Sequence, residues 1–329
     1  MEPSWLIFVV VILALIFDFT NGWNDSANAI ATVVSTRVLN PYQAVLLAAG
    51  LNIAGAFFST AVAKTIGKGI VSPDLVNQTV VAAALVGGIV WNTVTTLMGL
   101  PISASHALIG GVMGAGIAHG GFGVLNLKVL KIIFEAMILS PLFGFIFGFV
   151  FMVPVIRLFF RTSRGTANRI FKKLQLLSAS VMAFSHGTSD AQKVMGVITL
   201  ALFSGGYLNS IEVPKWVILI CALAMGLGTA VGGWNVIRTL GARMIKIEPV
   251  HGFVAETSAS LILLFTAHVG VPVSTTHTIT GCILGVGSTR RLSAVRWGVT
   301  TKILYAWIFT LPGTALMSYL AYKVFASFF

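Results

Sequence analysis

Acidic residues are scarce in this chain. Its 329 residues include nine Asp and Glu against 21 Lys and Arg, and charged side chains make up 9% of the total. A soluble domain carries about 25%, so this sequence has too little charge to clothe a water-facing surface. Cysteine is nearly absent as well. Cys221 and Cys282 lie inside apolar runs without metal-type spacing, and read as small packing residues. The H-E-x-x-H pattern of zinc proteases and the G-x-G-D of intramembrane aspartyl proteases are both missing, so the chain is not read as an enzyme. The N-terminal run lacks the short core and cleavage site of a removable signal peptide, and is expected to stay as an anchor.

What the chain has instead is apolar length: 57% of residues are hydrophobic and the mean hydropathy is +0.94. A helical span needs about 20 apolar residues. Such segments occur at 5–36, 41–63, 78–98, 101–118 and 130–155, and again at 175–202, 215–237, 251–269, 272–288 and 298–326. The expected fold is an all-α integral membrane protein in a lipid bilayer. The net charge of +12 does not point to nucleic acid, because the cations fall in short loops. Arg157, Arg161, Arg164, Arg169, Lys172 and Lys173 follow one another with no acid between, the mark of a loop retained in the cytoplasm.

The chain also repeats itself. Pro101-Ile102-Ser103-Ala104-Ser105-His106 returns 171 positions later as Pro272-Val273-Ser274-Thr275-Thr276-His277, and the same offset carries Lys131 onto Lys302 and Pro141 onto Pro312. Gly22-Trp23-Asn24-Asp25 falls on Gly187-Thr188-Ser189-Asp190 at an offset of 165. The halves are 1–156 and 174–329, joined by a basic linker at 157–173. Equivalent loops differ in charge: 120–126 has none, while its partner holds Arg290, Arg291 and Arg296. If positive loops stay inside, the halves are inverted-topology repeats with both termini outside. Residues 5–36 are too long for one straight crossing and are interrupted by polar residues at 18–28, so a broken helix is expected there. The segments meeting at Pro101 and at Pro272 read as re-entrant hairpins with polar tips. Inverted repeats with interrupted helices are the pattern of secondary transporters.

Asp18, Asp25, Glu135, Asp190 and Glu256 lie within or beside apolar runs. A carboxylate near the bilayer centre costs about 2.5–3.5 kcal/mol, so bound cations, donors or protons must offset it. Asp25 and Asp190 stand at equivalent positions and are the leading candidates. The tips combine a proline at a helix start, free backbone N–H groups that suit an anion, and the hydroxyls of Ser103, Ser105, Ser274, Thr275 and Thr276. The same serines would equally serve as helix caps. His106 and His277 follow the tips. His186, one turn before Asp190, and its counterpart Asn21 suit a shared pocket. Asn21, Asn24 and Asn28 add oxygens that suit hard cations, while His186 could instead carry a proton.

These residues carry a family. Gly22-Trp23-Asn24-Asp25-Ser26-Ala27-Asn28 resembles the G-x-N-D-x-x-N signature of the inorganic phosphate transporter (PiT) family. The segment from Ser185-His186-Gly187 through Asp190-Ala191-Gln192-Lys193 resembles the second-half counterpart. Leu100-Pro101-Ile102-Ser103 and Val271-Pro272-Val273-Ser274 resemble its L-P-[IV]-S motifs, and Gly252-Phe253-Val254-Ala255-Glu256 its G-F-x-x-E. The resemblance implies import of phosphate with sodium by alternating access, with protons as the alternative coupling ion; hydroxyl and N–H donors are not unique to phosphate, so sulfate is the alternative cargo. It implies phosphate contacts at Asp25, Asn28, Ser103, Ser105, Gln192, Ser274, Thr275 and Thr276. Cation contacts are expected at Asn21, Asn24, Asp25, His186, Asp190, Ser103 and Ser274, with sodium at Asp25 and Asp190. Glu256 and Lys193 would support them. No other cofactor is implied. A homodimer is implied by the family type, and the plasma (inner) membrane of a prokaryote by the absence of the large middle domain of animal relatives. Two departures stand out: Asn52 where many relatives have Glu, and Lys193 opposite Asn28.

Overall fold

The computed structural model describes residues 5–67 and 77–327. These fold into twelve α-helices with no strand among the described residues: α1 Leu6–Ser35, α2 Pro41–Ala56, α3 Ala61–Gly67, α4 Gln78–Met98, α5 Ala104–Gly120, α6 Leu127–Leu158, α7 Arg164–Ser204, α8 Lys215–Val231, α9 Trp234–Arg238, α10 Pro249–Val269, α11 Thr275–Ser288 and α12 Trp297–Phe325. Five of them are long and apolar enough to cross a membrane, or six counting the bent pair of α8 with α9 and the turn that follows. Along α6 and α12, Phe134, Ile138, Phe147, Ile308, Phe309 and Leu316 are exposed. An apolar face of that extent is unfavourable in water and suits lipid, so the chain is a multi-pass membrane protein.

Local signals explain the helix ends. Asn40 and Gln43 form a capping box at the start of α2, with Pro41 in the first turn. The two hairpins end their first arms in the same way. Gly99 and Gly270 take the left-handed conformation (φ +71° and +75°), and Leu100 and Val271 each donate a backbone N–H to the carbonyl five residues earlier, at 2.9 Å. A side chain at either glycine would be strained. Ser103 and Ser274 then cap α5 and α11.

The halves exchange partners. α1 packs on α8 and its counterpart α7 on α2, while α5 packs on α12 and its counterpart α11 on α6. Gly22 and Gly187 permit the first exchange: a Cβ would lie 2.3 Å from the Met225 carbonyl oxygen at one and 2.2 Å from that of Asn52 at the other. Two large clusters make up most of the core, beside two small ones. One cluster joins Ile30 and Val33 of α1 with Met182, Leu240, Leu263 and Ile279. The other joins Val10 and Phe17 of α1 with Val194, Ile198, Leu85 and Met225. α1 and α7 run through both clusters, and the buried polar stripe of Asp25, Asn28, His186 and Asp190 crosses the junction between them.

Three features differ from expectation. The first apolar segment is not broken: α1 is one 30-residue helix, and 175–202 lies within the 41-residue α7. Threonines of α4 and α11 meet Asn24, Asp25 and Asn28 from outside the helix, and the helical backbone carries on through all the polar residues at 18–28. The interruptions fall in the second spans instead, between α2 and α3 and between α8 and α9, where the bend is 62°. The basic stretch at 157–173 is mostly helix, with Arg157 at the end of α6 and Arg164 to Lys173 on α7. Glu135 is exposed on α6 and pairs with Lys131 one turn away, at 3.8 Å.

Candidate functional site

The site is built where α1, α7 and α11 converge. Asp25 and Asp190 are both 1% exposed, and the hydroxyls that open α11 join them. Thr275 Oγ1 lies 3.2 Å from Asp25 Oδ2 and 3.1 Å from Asp190 Oδ2. Thr276 Oγ1 lies 3.3 Å from both Asp25 oxygens. Asn28, one turn beyond Asp25, donates its amide to Thr276 Oγ1 (2.9 Å) and to Thr275 Oγ1 (3.3 Å). A relay of donors therefore runs from Asn28 through the threonines to the carboxylates.

His186 closes the other side. Its Nε2 is 3.5 Å from Asp190 Oδ2 and 3.9 Å from Asp25 Oδ2. Its Nδ1 is 3.1 Å from Asn52 Oδ1, and the Asn52 amide nitrogen donates to Thr229 Oγ1 at 2.8 Å. With the Asn52 oxygen facing the ring, Nδ1 is the donor and a neutral ring turns the lone pair of Nε2 toward two carboxylates. No hydrogen-bond partner meets that nitrogen. One atom from each of Asp25, His186 and Asp190 lies within 4.8 Å of the others. Buried acceptors facing one another are costly unless positive charge sits among them, and the three residues could together hold a metal ion or a proton. Lys193 supplies part of that charge: its ammonium pairs with Asp190 Oδ1 from one turn further along α7.

Several predicted residues do other work. Ser103 and Ser274 accept the backbone N–H groups of His106 (3.3 Å) and His277 (3.2 Å), so both act as helix caps; the cap uses a lone pair and leaves each hydroxyl proton free to donate. Gln192 is withdrawn from the carboxylates. Its oxygen accepts from Val62 N (2.8 Å) at the start of α3 and its nitrogen donates to Thr188 O (2.6 Å). Ser26 does the equivalent at the other break, accepting from Gly233 N at 2.8 Å. The two signature helices thus hold the two broken spans, a role that only the folded contacts disclose.

Asn24 donates to Thr96 of α4 at 2.7 Å. Asn21 Oδ1 and both oxygens of Asp18 are buried without hydrogen-bond partners. Glu256 is held apart from the acid pair by Thr32 (2.5 Å), Gln175 (3.1 Å) and Ser178. His106 and His277 bring the two tips into contact, ring to ring at 4.5 Å, and Trp307 stacks on His277 while donating to the Pro101 carbonyl at 2.9 Å. Ser105, Lys193 and Pro272 border a cavity of about 40 Å³ whose other walls are apolar, among them Ile66, Val80, Leu108, Val197 and Leu200. Asn52 and Thr229 are the functional candidates that sequence reading missed. The replacement of Glu by Asn at 52 was the one available signal.

Known proteins resemble this chain along its length. The profile of the phosphate transporter family matches residues 21–318. A probable low-affinity inorganic phosphate transporter of Rhizobium meliloti (strain 1021) is 47% identical over 319 residues, 96% of each chain. One of Bacillus subtilis (strain 168) is 44% identical over 323 residues, 97% of each chain. A solved structure described as the sodium-dependent phosphate transporter superposes with a TM-score of 0.88 at 25% identity, covering 98% of this chain and 100% of its own.

Proposed function

The chain belongs to the phosphate transporter family, and from that premise we propose that it imports inorganic phosphate together with a cation bound among Asp25, Asp190 and His186. The observation that carries this is the convergence of three buried acceptors within 4.8 Å. Phosphate carries one to two negative charges near neutral pH, and placing it beside two carboxylates is repulsive unless positive charge arrives too. Each ligand then lowers the cost of the other, and that coupling is reciprocal.

Sodium is the first reading. Asp25, Asp190 Oδ2, Thr275 and Thr276 offer the oxygen ligands a hard cation prefers, and the sodium dependence named for the structural relative agrees with it. Lys193 revises the charge count. It neutralises Asp190, so the acid pair retains one net negative charge and calls for one mobile cation where two would otherwise be needed. The second reading is a proton on His186 Nε2, favoured by the bare nitrogen that faces both acids.

Phosphate is assigned to the tips beside the acid pair, where Thr275 reaches Asp190 and Lys193 pairs with the same carboxylate. The tip hydroxyls and the first N–H groups of α5 and α11 provide further donors. Alternating access would come from α1, α7 and the hairpins moving against α6 and α12. The inverted arrangement, re-entrant hairpins, cytoplasmic basic end, external termini and a homodimer in a prokaryotic plasma membrane complete the proposal.

The test is phosphate uptake into proteoliposomes under a sodium or a proton gradient imposed separately, with Asp25→Asn and Asp190→Asn. Sodium-driven uptake lost in both variants supports the first reading. Uptake driven only by protons moves the coupling to His186. Uptake unaffected by either substitution removes the acid pair from the mechanism.

A further inference from the structure

A polar cavity lies far from the acid pair, at the end of the molecule where α7 begins. That placement follows from Phe253 of α10, whose ring sits 5.8 Å from that of Phe171 on α7. The cavity measures about 590 Å³ and is walled by Lys246, His251, Arg290, Arg291, Ser293 and Arg296. Three separate segments supply them: the stretch before α10, the first turn of α10, and the connection from α11 to α12. Lys246 and the three arginines are exposed. Among the described residues, none of the four makes an ion pair with a carboxylate; Glu248 is the one acid close to His251.

His251 adds a directed donor. The ring is 8% exposed, and its Nδ1 accepts the backbone N–H of Glu248 at 3.1 Å. A neutral ring so held carries its proton on Nε2, and no acceptor among the described residues engages that nitrogen. A donor on a nearly buried residue, set among cations that make no ion pair, suits an oxyanion.

The fold does not require these cations. The first half makes the same connection, with a short 3-10 turn at Phe122–Val124 matching the one at Leu292–Ala294. There the residues from Gly120 to Asn126 carry no charge at all. The rim of the basic cavity also exposes Leu292 and Trp297, at 65% and 46%, so apolar chains can lie beside the charges.

We propose that this cavity is a binding site for a phosphate-bearing anion, either an anionic lipid headgroup or free phosphate. Basic pockets between membrane helices take such headgroups. The proposal is independent of the coupling ion and of the Asp25–Asp190 site.

The test uses the full chain purified in neutral detergent, with lipid adducts counted by native mass spectrometry. The probes are phosphatidylglycerol and phosphatidylcholine, with millimolar inorganic phosphate as competitor. The combined variant Arg290→Gln, Arg291→Gln, Arg296→Gln is compared with Arg161→Gln, Arg164→Gln, Arg169→Gln, which removes as much charge outside the cavity. The expected result is selective retention of phosphatidylglycerol by the wild type and the second variant, weakened on the order of tenfold or more in the first. Lys246→Gln alone, on a different segment, should give a smaller loss in the same direction, and it keeps the test open if the triple variant does not fold. Displacement by phosphate identifies the free anion as a ligand, and resistance to it identifies the headgroup. Equal losses in both triple variants would reduce the cavity to diffuse surface charge. No preference for phosphatidylglycerol over phosphatidylcholine, with no effect of phosphate, would equally overturn the proposal.

Discussion

Asn52 Oδ1 lies 3.1 Å from His186 Nδ1, and through that contact a residue of α2 sets which nitrogen of the histidine faces the acid pair on α1 and α7. Outer partners of this kind typically change ligand affinity or activity by about 10–100-fold when removed. Asn52→Leu should therefore weaken cation-dependent uptake by about that factor. Asn52→Asp, which keeps an acceptor at Nδ1, should retain more activity. Initial uptake rates against cation concentration would separate the two. Equal activity in both variants would deny Asn52 the orienting role.

Lys193 is 3% exposed and paired with Asp190. Removing one member of a buried pair costs about 3–5 kcal/mol because the other charge is left uncompensated. Lys193→Met should lower the melting temperature in detergent, with stability partly restored by high cation concentration. Lys193→Asn copies the Asn28 side of the repeat and should need one more cation per phosphate. Reversal potentials in proteoliposomes read that ratio directly, and an unchanged ratio would refute the counterion role.

Gly187 and Gly50 make a matched pair. A Cβ at Gly187 would meet the Asn52 carbonyl oxygen at 2.2 Å, whereas one at Gly50 meets nothing within 4 Å. Gly187→Ala must push α2 away from α7, which loosens the Asn52–His186 contact as well as the packing, so stability and uptake should fall together. Gly50→Ala should raise stability by about 0.5–1 kcal/mol from helix propensity alone. Thermal melting of both variants in one detergent checks the contrast.

Glu256 belongs to a different network. Thr32, Gln175 and Ser178 all approach it, and Gly252 leaves the room that Gln175 needs: a Cβ there would lie 2.0 Å from the Gln175 amide nitrogen. Glu256→Leu should strand these donors at about 1–3 kcal/mol for each buried group left unsatisfied. The loss should appear as a lower melting temperature, with the cation dependence of any residual uptake unchanged. A shift in that dependence would tie Glu256 to the transport site.

Much of this molecule was legible in one dimension because its strongest constraints are local. Apolar length marks the spans, proline and the polar residues after it mark the hairpin tips, and the internal repeat aligns Asp25 with Asp190 before any contact is known. The opposite happened at residues 18–28. Polar residues inside an apolar run read as a break, yet α1 passes through them unbroken. Thr96 of α4 and Thr275 and Thr276 of α11 satisfy Asn24, Asn28 and Asp25 from outside the helix.

The sequence by itself determined the class, the duplicated plan and the acid pair, since burial in lipid demands long apolar segments and makes every retained carboxylate conspicuous. Only the tertiary structure decided what each polar group faces. It placed Gln192 on the start of α3, joined Thr275 to both acids, bound Lys193 to Asp190 and turned His186 by way of Asn52. Those choices depend on which helix packs against which. The partners are 85 to 250 residues apart in the joined threonine and acids, and no local pattern of residues encodes a separation of that size.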